Sequence, residues 1–238
     1  MTRITFVGHS TVLIEAARLR VLTDPILRGR VGHLRRLVPA PPVPPADVVL
    51  ISHAHMDHLD PPSLRRLTGS PRVVVPRGCA GLVRRAGLSD ITEMDVGERV
   101  SLGGLDLRAT EAEHDGRRLP FGRKVDALGY LLEGPQRVYF AGDTDLFDEM
   151  ERVAEGLDVA LLPVAGWGTR LPPGHLDPER AAHAARLLKP RYAVPIHWGT
   201  LAGPLAARAD PERPAREFAR LADVEVRVLR PGESLELD

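Results

Sequence analysis

The chain holds a single cysteine, Cys79, in 238 residues, which excludes an intrachain disulfide and a structural zinc built on thiolates. Cys79 precedes the helix-like stretch Ala80–Ala86 and reads as a small packing residue, not a nucleophile. Lysine is nearly missing, since Lys124 and Lys189 stand alone among 32 basic residues; with abundant Ala, Pro and Gly, this reflects a GC-rich genome and carries no functional signal. Net charge is also missing, as 32 Lys+Arg balance 32 Asp+Glu. A polyanion-binding domain is usually basic overall, so nucleic acid is not an expected partner. No apolar run approaches the roughly 18 residues of a transmembrane helix. Gly8-His9-Ser10 and Glu15 interrupt any signal-peptide core, so a cytoplasmic enzyme is the expectation. With no low-complexity tract, short repeat or linker, residues 1–238 read as one domain large enough to bury a substantial core.

What is there is a succession of short apolar runs. Ile4–Val7, Thr11–Ile14, Leu19–Thr23, Val48–Ser52, Arg72–Val75, Leu105–Thr110, Leu128–Leu132, Arg137–Ala141, Val159–Pro163 and Tyr192–Ile196 read as strands. Helices are expected over Asp60–Leu67, capped by Asp60 with Pro61 in the first turn, and over Pro178–Leu188, Glu149–Ala154 and Pro211–Leu221. Residues 24 to 47 are proline-rich and read as one long loop. Strands followed by helices, given twice, predict two packed sheets flanked by helices.

His53-Ala54-His55-Met56-Asp57-His58 follows the buried run ending at Ser52. Three imidazoles and a carboxylate in six residues are ligands for zinc and similar ions. Chance would produce this spacing on the order of 10⁻³ times in a chain of this composition. His53 and His55 point the same way on an extended segment. Asp57 and His58 then need a turn to reach a second ion. Two ions about 3.5–4 Å apart need further ligands, and three candidates follow predicted strands: His114, Asp143 in Gly142-Asp143-Thr144, and His197. The expected assignment is His53, His55 and His114 on one ion, Asp57, His58 and His197 on the other, and Asp143 bridging both. The expected cofactors are two divalent ions, zinc foremost and manganese as the alternative.

These stretches, with Gly8-His9-Ser10-Thr11-Val12, Leu22-Thr23-Asp24-Pro25, His175-Leu176-Asp177-Pro178-Glu179 and Ile196-His197-Trp198-Gly199-Thr200, resemble the metallo-β-lactamase superfamily. The resemblance implies a four-layer αββα sandwich, an α/β fold, carrying this ligand series in order. Within the superfamily the chain is most similar to the branch of N-acylphosphatidylethanolamine phospholipase D and the ascorbate-6-phosphate lactonases. The segment after the third histidine, Asp115-Gly116-Arg117-Arg118, departs from the aromatic pattern of the phospholipase. With no apolar docking helix evident, a membrane phospholipid is not the expected substrate.

His9 and Asp24 read as supports of ligands rather than ligands. His175 is either part of a capping loop or a pocket histidine that holds a substrate anion or donates a proton; the resemblance sets its segment over the metals. Trp167, between Gly166 and Gly168, is expected in the pocket, and His33 and His183 at the surface. Two basic clusters, Arg28/Arg30/Arg35/Arg36 and Arg117/Arg118/Arg123/Lys124, could supply guanidinium forks for a phosphate or carboxylate, with Arg118 favoured. Water on such ions has a pKa lowered towards about 7, so no side-chain nucleophile is needed. Asp57 is the catalytic residue of this reading. The expected activity is hydrolysis of a small anionic phosphodiester or lactone. The rivals are a nuclease, a non-catalytic metal-binding protein and an oxygen-reducing diiron protein; for the last, a carboxylate is expected where His55 stands.

Overall fold

Alternation builds the core. Val48 and Leu50 face one side of their strand and pack with Ile4, Val12, Val21 and Val74, while Val49 and Ile51 face the other with Val73 and Val75. This period of two gives a strand two apolar faces, so its sheet must be covered on both sides. In the computed structural model, which describes residues 1–39, 42–118, 122, 124–166, 171–204 and 210–238, both faces are covered.

The first sheet has seven strands in the order Ser234–Leu237, Thr2–Gly8, Thr11–Ala16, Leu19–Thr23, Val48–Leu50, Arg72–Pro76 and Ile91–Met94. The second runs Glu225–Val226, Tyr192–Ile196, Val159–Pro163, Arg137–Phe140, Asp126–Glu133, Asp106–Asp115 and Arg99–Ser101. Helices α1 (Pro61–Leu64) and α2 (Ala80–Arg84) place Leu64 and Val83 on the outer face of the first sheet. Helices α3 (Pro178–Leu188) and α4 (Arg213–Leu221) pack on each other and on the second sheet. The inner faces meet through Leu50, Val74, Leu128 and Tyr130. This is the αββα sandwich.

Strand direction positions the site. Thr2–Gly8, Leu19–Thr23 and Val48–Leu50 run the same way, because two antiparallel pairings are followed by a parallel one. Asp106–Asp115, Arg137–Phe140, Val159–Pro163 and Tyr192–Ile196 likewise share one direction. His9, Asp24, His53, Asp143 and His197 all leave the carboxyl ends of these strands, and His114 lies at the end of its own. The two sheets are stitched at this edge by Leu128 N–H to Ser52 O (2.9 Å) and by the Tyr130 hydroxyl to Ile51 O (2.8 Å). Gly142, at φ +63°, sits so close that a Cβ would lie 2.6 Å from Ser52 Cβ. Only glycine allows this approach.

Several elements differ from the sequence reading. The strand carrying His114 extends to Asp115, so His114 is in the strand rather than after it. The helix expected over Glu149–Ala154 is a single 3₁₀ turn, Met150–Arg152. Helix α1 ends at Leu64 rather than Leu67, although Asp60 caps it as expected by accepting from Ser63 N–H. The proline-rich loop contains the strands Arg30–Val31 and Leu34–Arg36, which join Leu201–Ala202 in a third, three-stranded sheet. No helix among the described residues is long and apolar enough to cross a membrane.

Candidate metal centre

Four site histidines, His53, His58, His114 and His197, are held by one ring nitrogen and aim the other inward. His58 Nδ1–H donates to Asp24 Oδ2 (2.6 Å), His114 Nδ1–H to Gly174 O (2.7 Å) and His197 Nδ1–H to Ala165 O (2.7 Å). Asp24 also accepts from Ser52 N–H (2.7 Å) and from the Ser52 hydroxyl (2.6 Å). With its one proton spent on Asp24, Ser52 Oγ can only accept from His53 Nδ1–H, 2.9 Å away. Each acceptor takes the Nδ1 proton and turns Nε2 of His53, His58, His114 and His197 inward, each with an unshared pair once any proton on it is given up.

Those pairs converge. Nε2 of His53, His58 and His197 and Oδ1 of Asp143 are buried with no hydrogen-bond partner among the described residues. Four orphaned polar atoms in one place are costly unless something binds them. His114 Nε2 and His55 Nδ1 face each other at 3.2 Å, close to the edge of about 3.3 Å expected for a tetrahedron with zinc–nitrogen bonds near 2.0–2.1 Å. One set, His53, His55 and His114, and a second, His9, Asp57, His58 and His197, each keep their donor atoms within 4.8 Å of one another. Between them, Asp143 Oδ2 lies 3.1 Å from His58 Nε2 and 3.2 Å from His197 Nε2. The donor set fits divalent cations of the zinc type.

Protonation agrees with this chemistry. Burial, with His58 and His114 nearby, holds His53 well below the ordinary imidazole value. Burial likewise lowers His114 to about 4, and burial with the neighbouring His197 lowers His9 to about 3. These rings are neutral; His53 and His114 can donate a pair, while His9 keeps a proton for Asp57. Burial alone would raise Asp57 and Asp143, but His58 beside the first and His197 beside the second outweigh it, and both carboxyls stay well below the usual range. His58 is the exception: burial lowers it, yet Asp143, Asp24 and Asp57 together raise it well above its ordinary value. Its proton is the positive charge that a cation would displace.

The turns that present these groups are strained. His9 (φ 59°), Asp24 (φ 31°) and His197 (φ 61°) are non-glycine residues in the left-handed region. Such conformations persist only where the surroundings over-determine them. Here His197 N–H donates to His9 O (2.9 Å), and His9 N–H to Thr200 Oγ1 (2.7 Å). His9 Nε2 lies 3.2 Å from Asp57 Oδ2.

A cavity of about 230 Å³ opens onto the cluster, lined also by His33, Leu34, Met56, Arg118, Pro172 and His175. His175 Nε2 reaches to 3.4 Å from Asp143 Oδ2, while its Nδ1 faces Pro172 O at 3.1 Å. Arg118 faces the cavity but donates through Nη1 to Ala54 O (2.9 Å) and Leu59 O (2.8 Å), so it also braces the histidine loop. Trp167 lies outside the described residues. Sequence reasoning missed His33, Leu34 and Met56 as cavity residues and Ser52 as the link between Asp24 and His53. The length of the 24–47 loop was the available hint for the first two.

Comparison with known proteins agrees. The family described as "Beta-lactamase superfamily domain" matches residues 19–198. The UPF0173 metal-dependent hydrolase MK1542 of Methanopyrus kandleri is 35% identical over 98% of this chain and 99% of its own length. The UPF0173 metal-dependent hydrolase TTHA1283 of Thermus thermophilus is 34% identical over the whole of both chains. Among solved structures, Igni18, a metallo hydrolase from Ignicoccus hospitalis, matches with TM-score 0.73 and 27% identity, covering 100% of this chain and 99% of its own. Matched from end to end by such relatives, the chain belongs to the metallo-β-lactamase superfamily and, within it, to the UPF0173 metal-dependent hydrolases.

Proposed function

We propose that this metal-dependent hydrolase works with two divalent cations, zinc foremost, on a small substrate carrying an anionic group, a phosphodiester or a lactone, and that residues 1–238 act as one domain. The observation that carries the proposal is the convergence of unpartnered His53, His58 and His197 nitrogens and an Asp143 oxygen beneath a cavity of small-molecule size. His53, His55 and His114 would hold one cation and Asp57, His58 and His197 the other, with Asp143 between them. The resemblance of the Gly8-His9-Ser10 and Ile196-His197-Trp198 motifs to the phospholipase D and lactonase branch supports the substrate class. The bounded cavity favours a small molecule over a nucleic acid.

When bound, such cations supply water acidified towards a pKa of about 7 and stabilise charge that develops on the substrate. The chain's own residues do the rest. Asp57 orients the attacking water, and His9, neutral and 3.2 Å away, donates to Asp57 and fixes its rotamer. His175 lines the cavity with Nε2 3.4 Å from Asp143 Oδ2, where it can hold the substrate's anionic group or give a proton to the departing oxygen. Arg118 keeps the histidine loop in register and turns its remaining nitrogens towards the substrate. Leu34 and Met56 shield the reacting groups from bulk water.

Zinc-loaded protein should hydrolyse a member of a phosphodiester, lactone and thioester panel and contain close to two metal equivalents by elemental analysis. Failure to turn over any member while fully loaded would refute the enzymatic reading. One equivalent after reconstitution would refute the dinuclear one.

A further inference from the structure

Beside the metal pocket lies a second cleft of about 400 Å³, whose wall carries Arg28, Arg65, Arg85 and Arg118. The fold assembles it from four separate places. Arg28 comes from the proline-rich loop, Arg65 and Arg85 cap the carboxyl ends of α1 and α2, and Arg118 follows the strand of His114. The cleft contains one carboxylate, Asp60. Arg28 binds both oxygens of Asp60, at 2.7 and 2.9 Å, and Ser63 takes Oδ2 as well through its N–H (3.0 Å) and hydroxyl (2.6 Å). Asp60 is therefore occupied. Arg65, Arg85 and Arg118 have no carboxylate partner among the described residues. Among the described residues their side chains donate only to backbone carbonyls: Arg65 to Arg85 O at 3.3 Å, and Arg118 to Ala54 and Leu59.

Four guanidiniums against one carboxylate leave a surplus of three positive charges in a concave space. Like charges gathered this way repel, and burial together with the nearby Arg85 pushes the Arg118 guanidinium down. A bound oxyanion relieves that repulsion, because guanidinium forks match the geometry of phosphate and sulfate. The cleft and the metal pocket share Met56 and Arg118. The cleft and the metal pocket therefore adjoin at these two side chains.

We propose that this arginine cleft is a second, oxyanion-binding site that takes a phosphate- or sulfate-like group. The group can belong to the far end of the substrate, a role that rests on the hydrolase reading above, or to a separate small anion. The binding site itself requires no turnover.

The test is calorimetric titration of zinc-loaded protein with sulfate at low ionic strength, repeated on Arg65→Gln/Arg85→Gln and on chelated wild type. Both replaced side chains are exposed, so the fold is expected to survive, and an unchanged thermal midpoint checks this. The expected result is saturable binding that weakens at least tenfold in the double variant and persists after chelation. Unaltered affinity in the double variant, or loss of binding on chelation, overturns the proposal, the latter by placing sulfate at the metals. A protein that hydrolyses nothing can still pass this test, and an active hydrolase can still fail it. Sulfate that raises KM for a phosphorylated lactone but not for a neutral one assigns the site to the substrate's own phosphate. Sulfate that binds without altering either KM assigns it to a separate anion.

Discussion

The two sheets support their halves of the metal centre in different ways. The first contributes a continuous loop, His53 to His58, supported by side chains: Asp24 holds His58 directly and His53 through Ser52, and Arg118 braces the loop's carbonyls. The second contributes single residues from separate strands, and it holds His114 and His197 by the main-chain carbonyls of Gly174 and Ala165. Support by side chains can be removed one group at a time. Support by main chain changes only if the backbone moves. The first half should therefore be sensitive to chemistry and the second to conformation.

The largest effect is expected at Asp57, the one proposed ligand that also orients the attacking water. Asp57→Asn keeps the shape and removes the charge, so activity should fall on the order of 10³-fold, the upper range for losing one preorganised group at the reacting centre. The fold should remain, as judged by circular dichroism. Near-normal turnover with both metals bound would show that Asp57 is only structural.

Asp24→Asn tests the side-chain-supported half. The amide cannot accept from both His58 and Ser52 as the carboxylate does, so metal affinity should drop about 10–100-fold, as for other groups that orient ligands. A competition titration against a chromophoric chelator measures it. Because Asp24 holds His58 of one ion and, through Ser52, His53 of the other, both affinities should fall; unchanged affinity at both would show that side-chain support is dispensable and the comparison would fail.

Gly174→Ala tests the other half. Gly174 has φ +80°, and a Cβ there would sit 3.1 Å from His114 Nδ1. The left-handed conformation costs a side chain about 1–2 kcal/mol, so a lower thermal midpoint and weaker binding at the His114 site are expected. An unchanged midpoint and unchanged metal affinity would mean that the segment adapts freely and that main-chain support is soft.

The smallest effect is expected from Ser52→Ala, which removes the acceptor of His53 Nδ1–H but leaves Asp24 on His58. About a tenfold loss of metal affinity is expected, less than for Asp24→Asn. A loss as large as that of Asp24→Asn would place the control of both histidines in the serine.

Much of the fold was readable beforehand because the signals are local. The continuous apolar runs of Val48–Leu50 and Arg72–Pro76 and the Asp60 cap on α1 each depend on a few neighbouring residues. The strands Arg30–Val31 and Leu34–Arg36 were not readable, because each is two or three residues long and the partner, Leu201–Ala202, lies far along the chain. His33 read as surface and is exposed; the small sheet adds that this exposed residue stands at the cavity mouth. Arg118 read as a substrate group, whereas its bonds to Ala54 O and Leu59 O depend on a loop some sixty residues earlier.

The residue types of the candidate centre were determined by sequence alone, because imidazole and carboxylate carry their ligand chemistry wherever they stand, and six-residue spacing is a local property. The strand periodicity, and through it the layered fold, was determined in the same way. Which nitrogen each histidine offers was decided only by tertiary structure, since the tautomer depends on acceptors such as Asp24, Gly174 O and Ala165 O that lie far away in the chain. So was the gathering of Arg28, Arg65, Arg85 and Arg118 into one cleft. Charge surplus in a concavity is a property of positions in space, and a balanced composition conceals it.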